Sequence, residues 1–427
     1  MKYALKNMYL LDGHADMKPV AGKAVLVSDG RIRAIVEESE APKHYETVDL
    51  HGGYLLPGLI NLHVHTPLNG KPAKKKMDYA GLAKLLKLGA VKSVVRAMCA
   101  ENVRQALFSG TTTIRTVGGI QDFDGALRDR INEGKAVGPR ILAANYAVSV
   151  PGGHMTGSVA LPVETPWEAR QMVRDLAETK PDLIKLMITG GVLDAEVPGE
   201  PGVLKMPPEI IKAACEEAHA LGYRVAAHVE STEGMLAALR NGVDSLEHGG
   251  APTPEVLQLM MDTGAVLVGT LSPAVPFTVL DQAVTGMTDT DLLNGKALFS
   301  HMRDCILSCL EAGIPVGLGT DSGCPFITPY DMWRELWYYS RWCGVTPAFA
   351  IHSATELNAK ILGIDAETGT VEEGKSADFL IVRDNPLEDL TALRQPQCVV
   401  FRGTLYKNPK IKRLTAVDTE LDKLLSM

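Results

Sequence analysis

The sequence predicts an α/β protein: a (β/α)8 barrel, or TIM barrel, in the middle of the chain and a small β-sandwich built from both termini. Three observations predict it. The middle repeats one rhythm of amphipathic helix, glycine and apolar strand. Short β-like runs separated by turns gather at the two ends. Titratable side chains fall at the C-terminal tips of the apolar runs, the face where a barrel of parallel strands collects its chemistry.

Residues 1–57 form the first part of the sandwich. Ala24-Val25-Leu26-Val27, then Asp29-Gly30, then Ile32 to Val36 reads as a hairpin, because Asp-Gly suits the two positive-φ positions of a tight turn. Residues 58–365 form the barrel. Its strands are read at 55–65, 111–115, 140–149, 182–189, 224–228, 243–248, 265–270 and 314–321. Gly110, Gly222, Gly242, Gly264 and Gly313 each stand between a helix and its strand, where a left-handed residue ends a helix at low cost. In the helix from Pro208, Ile211, Ala214, Ala218 and Leu221 make an inward stripe while Glu216 and Glu217 face away. Residues 366–427 return to the sandwich through 377–382 and 397–403. An open doubly wound sheet is disfavoured because no glycine-rich phosphate turn follows the first strand.

Composition narrows the function. With 427 residues and 46% apolar content, a barrel of about 250 residues leaves room for a second domain. A formal charge of −8 argues against a nucleic-acid partner. No apolar run reaches the roughly 20 residues that cross a bilayer, so no membrane partner is expected. The seven cysteines form no disulfide or zinc-ribbon spacing, and the N-terminus shows no signal-peptide core, so a cytoplasmic location is expected. Cys305 and Cys309, one helical turn apart, are expected to pack in the core.

Six residues carry the chemistry: His63, His65, Lys185, His228, His248 and Asp321. In His63-Val64-His65 the two imidazoles share one face of a strand and can meet one metal. His228 and His248 end successive strands. Lys185 ends Pro181-Asp182-Leu183-Ile184, where a cation is costly to bury. Deprotonated and carboxylated by CO2, it becomes a carbamate able to bridge two cations. Asp321 ends the last strand and can take a proton from a metal-bound water. His154, in the glycine-flanked loop Gly152-Gly153-His154, is a candidate electrophile, and Cys324 is expected to line the pocket. The lysines at 71, 74, 75 and 76 suggest a solvated loop or an electropositive lid, and residues 272–298 a long covering loop.

These motifs resemble the amidohydrolase superfamily, in its binuclear, carboxylated-lysine form. The resemblance runs over nearly the whole chain, from Pro57-Gly58-Leu59-Ile60-Asn61-Leu62-His63-Val64-His65 to Gly369-Thr370-Val371-Glu372-Glu373-Gly374-Lys375-Ser376-Ala377-Asp378-Phe379. It implies that His63, His65 and Asp321 hold one divalent ion, that His228 and His248 hold a second, and that a carbamate on Lys185 bridges them. Zinc is the first choice for both. The bridging hydroxide then attacks an amide or ester carbonyl. Gly110 to Arg115, Gly152-Gly153-His154 and Ile184-Lys185 followed by Thr189-Gly190-Gly191 are most similar to the prolidase-like and Xaa-Arg/Lys carboxypeptidase (imidazolonepropionase-like) group, which also includes an ochratoxin-hydrolysing amidase.

The resemblance further implies a dipeptide or an N-acyl amino acid as the small-molecule amide substrate, with Asp321 and His154 catalytic and His154, Glu230, Arg115 and Cys324 in contact with substrate. A homo-oligomer is expected, since relatives often assemble. Two departures stand out. Several dipeptidases of the group carry a tyrosine, which meets the substrate carboxylate, where this chain has Glu230, and many carry aspartate where it has Thr116. Glu230 therefore suits a cationic group or a supporting role. The rival readings are a mononuclear deaminase or cyclic-imide hydrolase, and a non-catalytic binding protein on the same fold. Ser231 stands where many deaminases of the superfamily place a glutamate, and all six ligand positions are filled.

Overall fold

The computed structural model describes residues 2–72, 85–86, 88–195 and 197–426. Lys74, Lys75 and Lys76 of the lysine cluster lie outside the described residues. Both ends of the chain build one seven-stranded sheet. Its order is Thr404–Lys407, Cys398–Phe401, Phe379–Val382, Glu46–Pro57, Lys2–Leu10, Lys23–Ser28 and Arg31–Glu37. The Asp29-Gly30 hairpin forms as expected, with both residues at positive φ and Ser28 opposite Arg31. The two halves of the sheet then meet: Ala377 N donates to Gly30 O (2.9 Å) and Tyr3 Oη to Gly403 O (2.8 Å). The sheet thereby folds over a shared core in which Leu5 and Val25 pack with Phe379 and Val400. This is the sandwich.

Glu46–Pro57 runs through Gly58 straight into the first barrel strand, Leu59–Val64. The next strands are Thr111–Thr116, a split third strand Arg140–Ala143 and Ala147–Ser149, then Ile184–Met187, Val225–Val229, Ser245–His248, Val266–Gly269 and Val316–Leu318. Neighbours pair in parallel around the ring. Asp182 N to Ala143 O (2.7 Å) joins the third and fourth strands. The eighth closes on the first through Asp321 N to His63 O (3.0 Å) and His65 N to Ser322 O (2.7 Å). At the other end of the same seam the Asn358 amide donates to Ile60 O and Leu318 O and accepts from Leu318 N. Barrel and sandwich stand as the sequence predicts.

Several details differ from the sequence reading. The third strand breaks at Asn145, whose φ of 59° turns the chain and whose side chain bonds Gly125 N and Thr179 Oγ1. Residues 272–298 are largely helical, not loop: Val275–Val279 and Gln282–Thr285 precede a 23-residue helix, Asp289–Glu311. Thr288 and Asp291 form a reciprocal capping box that starts this helix, a signal present in the sequence. Leu221 is 45% exposed, because the helix Pro208–Ala220 ends just before it. Cys305 and Cys309 are fully buried, beside Met235 and Met260. Beyond the last strand the chain leaves the sheet. The helix Thr415–Asp422 docks on the barrel helix Met332–Cys343, where buried Arg334 pairs with Asp331 (3.2 Å) and Asp422 (2.6 Å).

Candidate metal centre

The six predicted donors meet at the C-terminal mouth of the barrel. His63, His65, Lys185, His228, His248 and Asp321 line one cavity with His154 and Cys324. Within it, donor atoms of His63, His65 and Asp321 all lie within 4.8 Å of one another, and so do those of His228, Glu230 and His248. Adjacent imidazoles are 4.6 to 5.4 Å apart between ring centres, which chains the two groups together through His63 and His248.

Strand geometry alone does not produce this convergence. Alternation turns Ser245 and Glu247 into the barrel, so it would turn His248 outward. His248 instead has φ 72°, and Asp321 φ 59°. Both are non-glycine residues in the left-handed region, a backbone cost that tends to collect at functional sites. The twist at each strand tip brings the ligand inward beside residues of the opposite parity.

Each imidazole is held from behind. His63 Nδ1 donates to Glu247 Oε2 (2.8 Å) and His65 Nδ1 to Gly118 O (2.8 Å). His248 Nδ1 pairs with Thr270 Oγ1 (2.7 Å), and His228 Nε2 donates to Gly190 O (3.2 Å). That leaves Nε2 of His63, His65 and His248 and Nδ1 of His228 free to ligate, the arrangement by which outer partners fix tautomer and ring orientation. Burial, aided by the Lys185 charge, drops His63 to about 4, and burial also holds His228 and His248 well below the usual histidine range. Neutral imidazoles are the metal-binding form. Burial works against the charge of Asp321, but the imidazoles of His65, His63 and His248 beside it keep it well below the usual carboxylate range. Its Oδ1 is 3.1 Å from His65 Nε2 and 3.5 Å from His63 Nε2.

Lys185 is the outlier. It is fully buried, its Nζ has no hydrogen-bond partner among the described residues, and burial lowers it to about 8. Such an orphaned polar atom calls for a missing partner. Histidine nitrogens, a carboxylate and an amine that can take up CO2, gathered around one cavity, fit divalent cations.

The remaining site residues fall in three places. His154 stacks on His228 at 4.2 Å between ring centres, nearly parallel, and its Nδ1 is bound by Asp194. The Cys324 thiol donates to Asp321 Oδ2 (3.3 Å), and burial beside that carboxylate pushes its pKa well up. Glu230 is buried beyond His228, and burial raises its carboxyl well above the ordinary value. Arg115 is placed differently from its expected substrate contact. Its guanidinium lies under the histidines, donating to both oxygens of Glu247 (2.7 Å each) and to Leu62 O (2.7 Å), so it braces the floor.

Glu247 and Asp194 are the two residues that sequence reasoning misses. Glu247 is fully buried, and Arg115 and His63 hold its carboxylate ionised against the cost of burial. A signal exists: Ser245 and Glu247 alternate inward on a strand that already ends in a ligand. Asp194 lies in a short 3-10 turn, Val192–Asp194, with no local signal.

Residues 54–405 match the amidohydrolase family. A crystal structure from Bifidobacterium longum, provisionally described as a prolidase, superposes with a TM-score of 0.87 at 36% identity, covering 99% of each chain. A Xaa-Pro dipeptidase with methionine bound in its active site gives 0.81 at 27% identity, covering 95% of this chain and 100% of the other. The ochratoxinase of Aspergillus niger is 29% identical over 93% of this chain and 85% of its own. Among the described residues no helix is long and apolar enough to cross a membrane. The chain belongs to the amidohydrolase family of hydrolases.

Proposed function

We propose that this protein is a binuclear metal-dependent hydrolase that cleaves the amide bond of a dipeptide or an N-acyl amino acid. The observation that carries the reading is the facing pair of donor groups with an unpartnered, fully buried Lys185 beside them. His63, His65 and Asp321 would hold one divalent ion and His228 and His248 the other, zinc being the first choice. A neutral amine is the species that adds CO2, and Lys185, lowered to about 8, holds a minor share of that form at neutral pH, far more than an ordinary lysine. A carbamate on Lys185 would supply the two ions with a further anionic oxygen donor. When bound, such a pair would supply a Lewis acid for the scissile carbonyl and a water whose pKa falls to about 7.

The chain's own groups do the rest. Asp321 accepts the proton of the attacking water and returns it to the departing amine, as a carboxylate beside His63 and His65 in the cavity can. His154, oriented by the pairing of its Nδ1 with Asp194, turns its other ring edge to the cavity, where it would polarise the carbonyl oxygen. Cys324, bonded to the second oxygen of Asp321, fixes the orientation of that carboxylate. Ser231 caps the helix Thr232–Arg240 by accepting from Gly234 N (3.2 Å), so the position that an acid would fill in a deaminase is engaged in structure.

The test is a panel of dipeptides and N-acyl amino acids incubated with the metal- and bicarbonate-loaded protein, following the released amino acid and ammonia. Amino acid without ammonia supports the reading. Ammonia release with one metal per chain, or no turnover on any amide, overturns it.

A further inference from the structure

His248 is the ligand least determined by its own strand, since alternation would turn it outward and a left-handed backbone turns it in. Its Nδ1 is met by the Thr270 hydroxyl at 2.7 Å. Thr270 stands just past the strand Val266–Gly269, where ladder pairing has ended. The next two residues, Leu271 and Ser272, are buried, and their backbone N–H groups turn to a helix instead of a strand. Glu335 takes both. Its Oε1 accepts from Leu271 N (2.6 Å), and its Oε2 accepts from Ser272 N (2.8 Å) and from the Ser272 hydroxyl. This carboxyl is fully buried, 63 residues beyond Ser272, on the helix Met332–Cys343. Burying a carboxyl is costly, and three donors from one short segment offset that cost. The helix that carries Glu335 is itself fixed from outside. The adjacent Arg334 pairs with Asp422 of the C-terminal helix (2.6 Å), Leu414 N donates to Tyr330 Oη (2.6 Å), and Leu421 lines one small cavity with Ser272 and Arg334. A continuous line of contacts runs from the C-terminal helix through Glu335 and Thr270 to His248.

We propose, resting on the two-ion reading above, that Glu335 is a positioning residue for His248 and so for the ion held by His228 and His248. It acts through Thr270. By pinning the two peptide N–H groups that follow, it fixes where the threonine hydroxyl stands, and with it the plane of the imidazole. Glu335 touches neither ion nor substrate. Without its carboxylate the segment 270–272 loses its anchor, and the left-handed His248 can relax towards the outward orientation that its strand favours. His63 and His65 have their own supports, Glu247 and Gly118 O, and do not use this one.

A metal-buffered zinc titration of the intact protein reads the two ions as two binding steps. Thr270→Val removes the hydroxyl and identifies the step that depends on His248. Glu335→Gln keeps one acceptor and sets an amide N–H2 against the remaining donors. It is expected to weaken that same step roughly tenfold and to leave the other within about twofold. The double variant is expected to match Thr270→Val within about twofold, because the second change acts through a link that the first has already cut. A second readout needs neither metal nor substrate. In apo protein labelled with nitrogen-15 histidine, the Nδ1–H signal of His248, identified through Thr270→Val, is expected to shift in Glu335→Gln. A purely structural stitch would leave it in place. If Glu335→Gln does not fold, Ser272→Ala, which removes only the hydroxyl bond, is expected to weaken the same step about two- to threefold and to shift the same signal.

Equal weakening of both steps, no weakening of either, or an effect that adds in full to that of Thr270→Val overturns the inference, and so does an unmoved His248 signal. A wild type that takes up one ion only makes the two-ion reading fail while leaving the support of His248 open to the nitrogen-15 experiment. There a shifted signal supports Glu335 as the positioning residue, and an unshifted one overturns it.

Discussion

The floor of the site and its outer wall are built differently. On the floor, each ligand comes from a strand tip and is held from behind by a fixed group: Glu247 under His63, Gly118 O behind His65, Thr270 behind His248. Arg115 then ties Glu247 to the first strand through Leu62 O. On the wall, His154 and Glu230 are met by the glycine-rich segment 190–202, and one of them keeps an unpaired oxygen. The floor is complete as protein apart from Lys185 Nζ and Asp321 Oδ1, the atoms that would meet the ions. The wall is not. Metal affinity should therefore depend on floor residues and substrate choice on wall residues, and substitutions can show where that division fails.

The largest effect belongs to the floor. Asp321→Asn should retain bound metal yet lose about 10²–10⁴-fold in kcat, because the proton carrier is gone. Near-normal turnover in a metal-replete variant would remove Asp321 from that role. Glu247→Gln should weaken metal binding about ten- to a hundredfold in a metal-buffered titration, by loosening His63. The same variant leaves Arg115 as an unpaired buried cation, so it should also lose about 3 kcal/mol in denaturant unfolding. An unaltered metal affinity would mean that His63 is oriented by its strand alone.

Next in size is a pH effect on loading. Lys185 lies at about 8 in the folded protein, lowered from 10.5, so its neutral form is lost as pH falls through 8. Carbamate formation from apo protein, followed at a fixed concentration of labelled dissolved CO2, should accelerate about tenfold per pH unit up to pH 8 and level off above it. A rate that keeps climbing to pH 10 would place the amine in a solvated setting. The smallest effect belongs to the wall. Asp194→Asn should lower kcat roughly fivefold through His154 while leaving metal content at the wild-type level. A lost metal equivalent there would join wall and floor.

The same division decides what the sequence can show. The barrel is legible because its helix, glycine and strand units are local. Gly264, at φ 72°, ends the helix Pro254–Thr263 as a reading of the sequence expects. The six donors are legible because each ends an apolar run. Glu247 is not, because its importance comes from Arg115 and His63, 132 and 184 residues away. The left-handed turn at His248 is equally hidden, since nothing in Glu247-His248 announces that two adjacent residues both face inward. Arg115 follows a strand pattern near the site, which suggests a substrate contact. Only the packing shows it beneath the histidines. Asp194 sits on a loop whose position depends on the fourth and fifth strands together.

The most direct test of the central claim is a metal count on protein purified with bicarbonate, taken by mass spectrometry of the elements alongside a carbon-13 spectrum of the labelled chain. Joined donor groups bridged at Lys185 predict about two equivalents per chain and a carbamate signal that Lys185→Ala removes together with the second ion. A single tightly held ion, with an unmodified Lys185 and no change on its replacement, would contradict it.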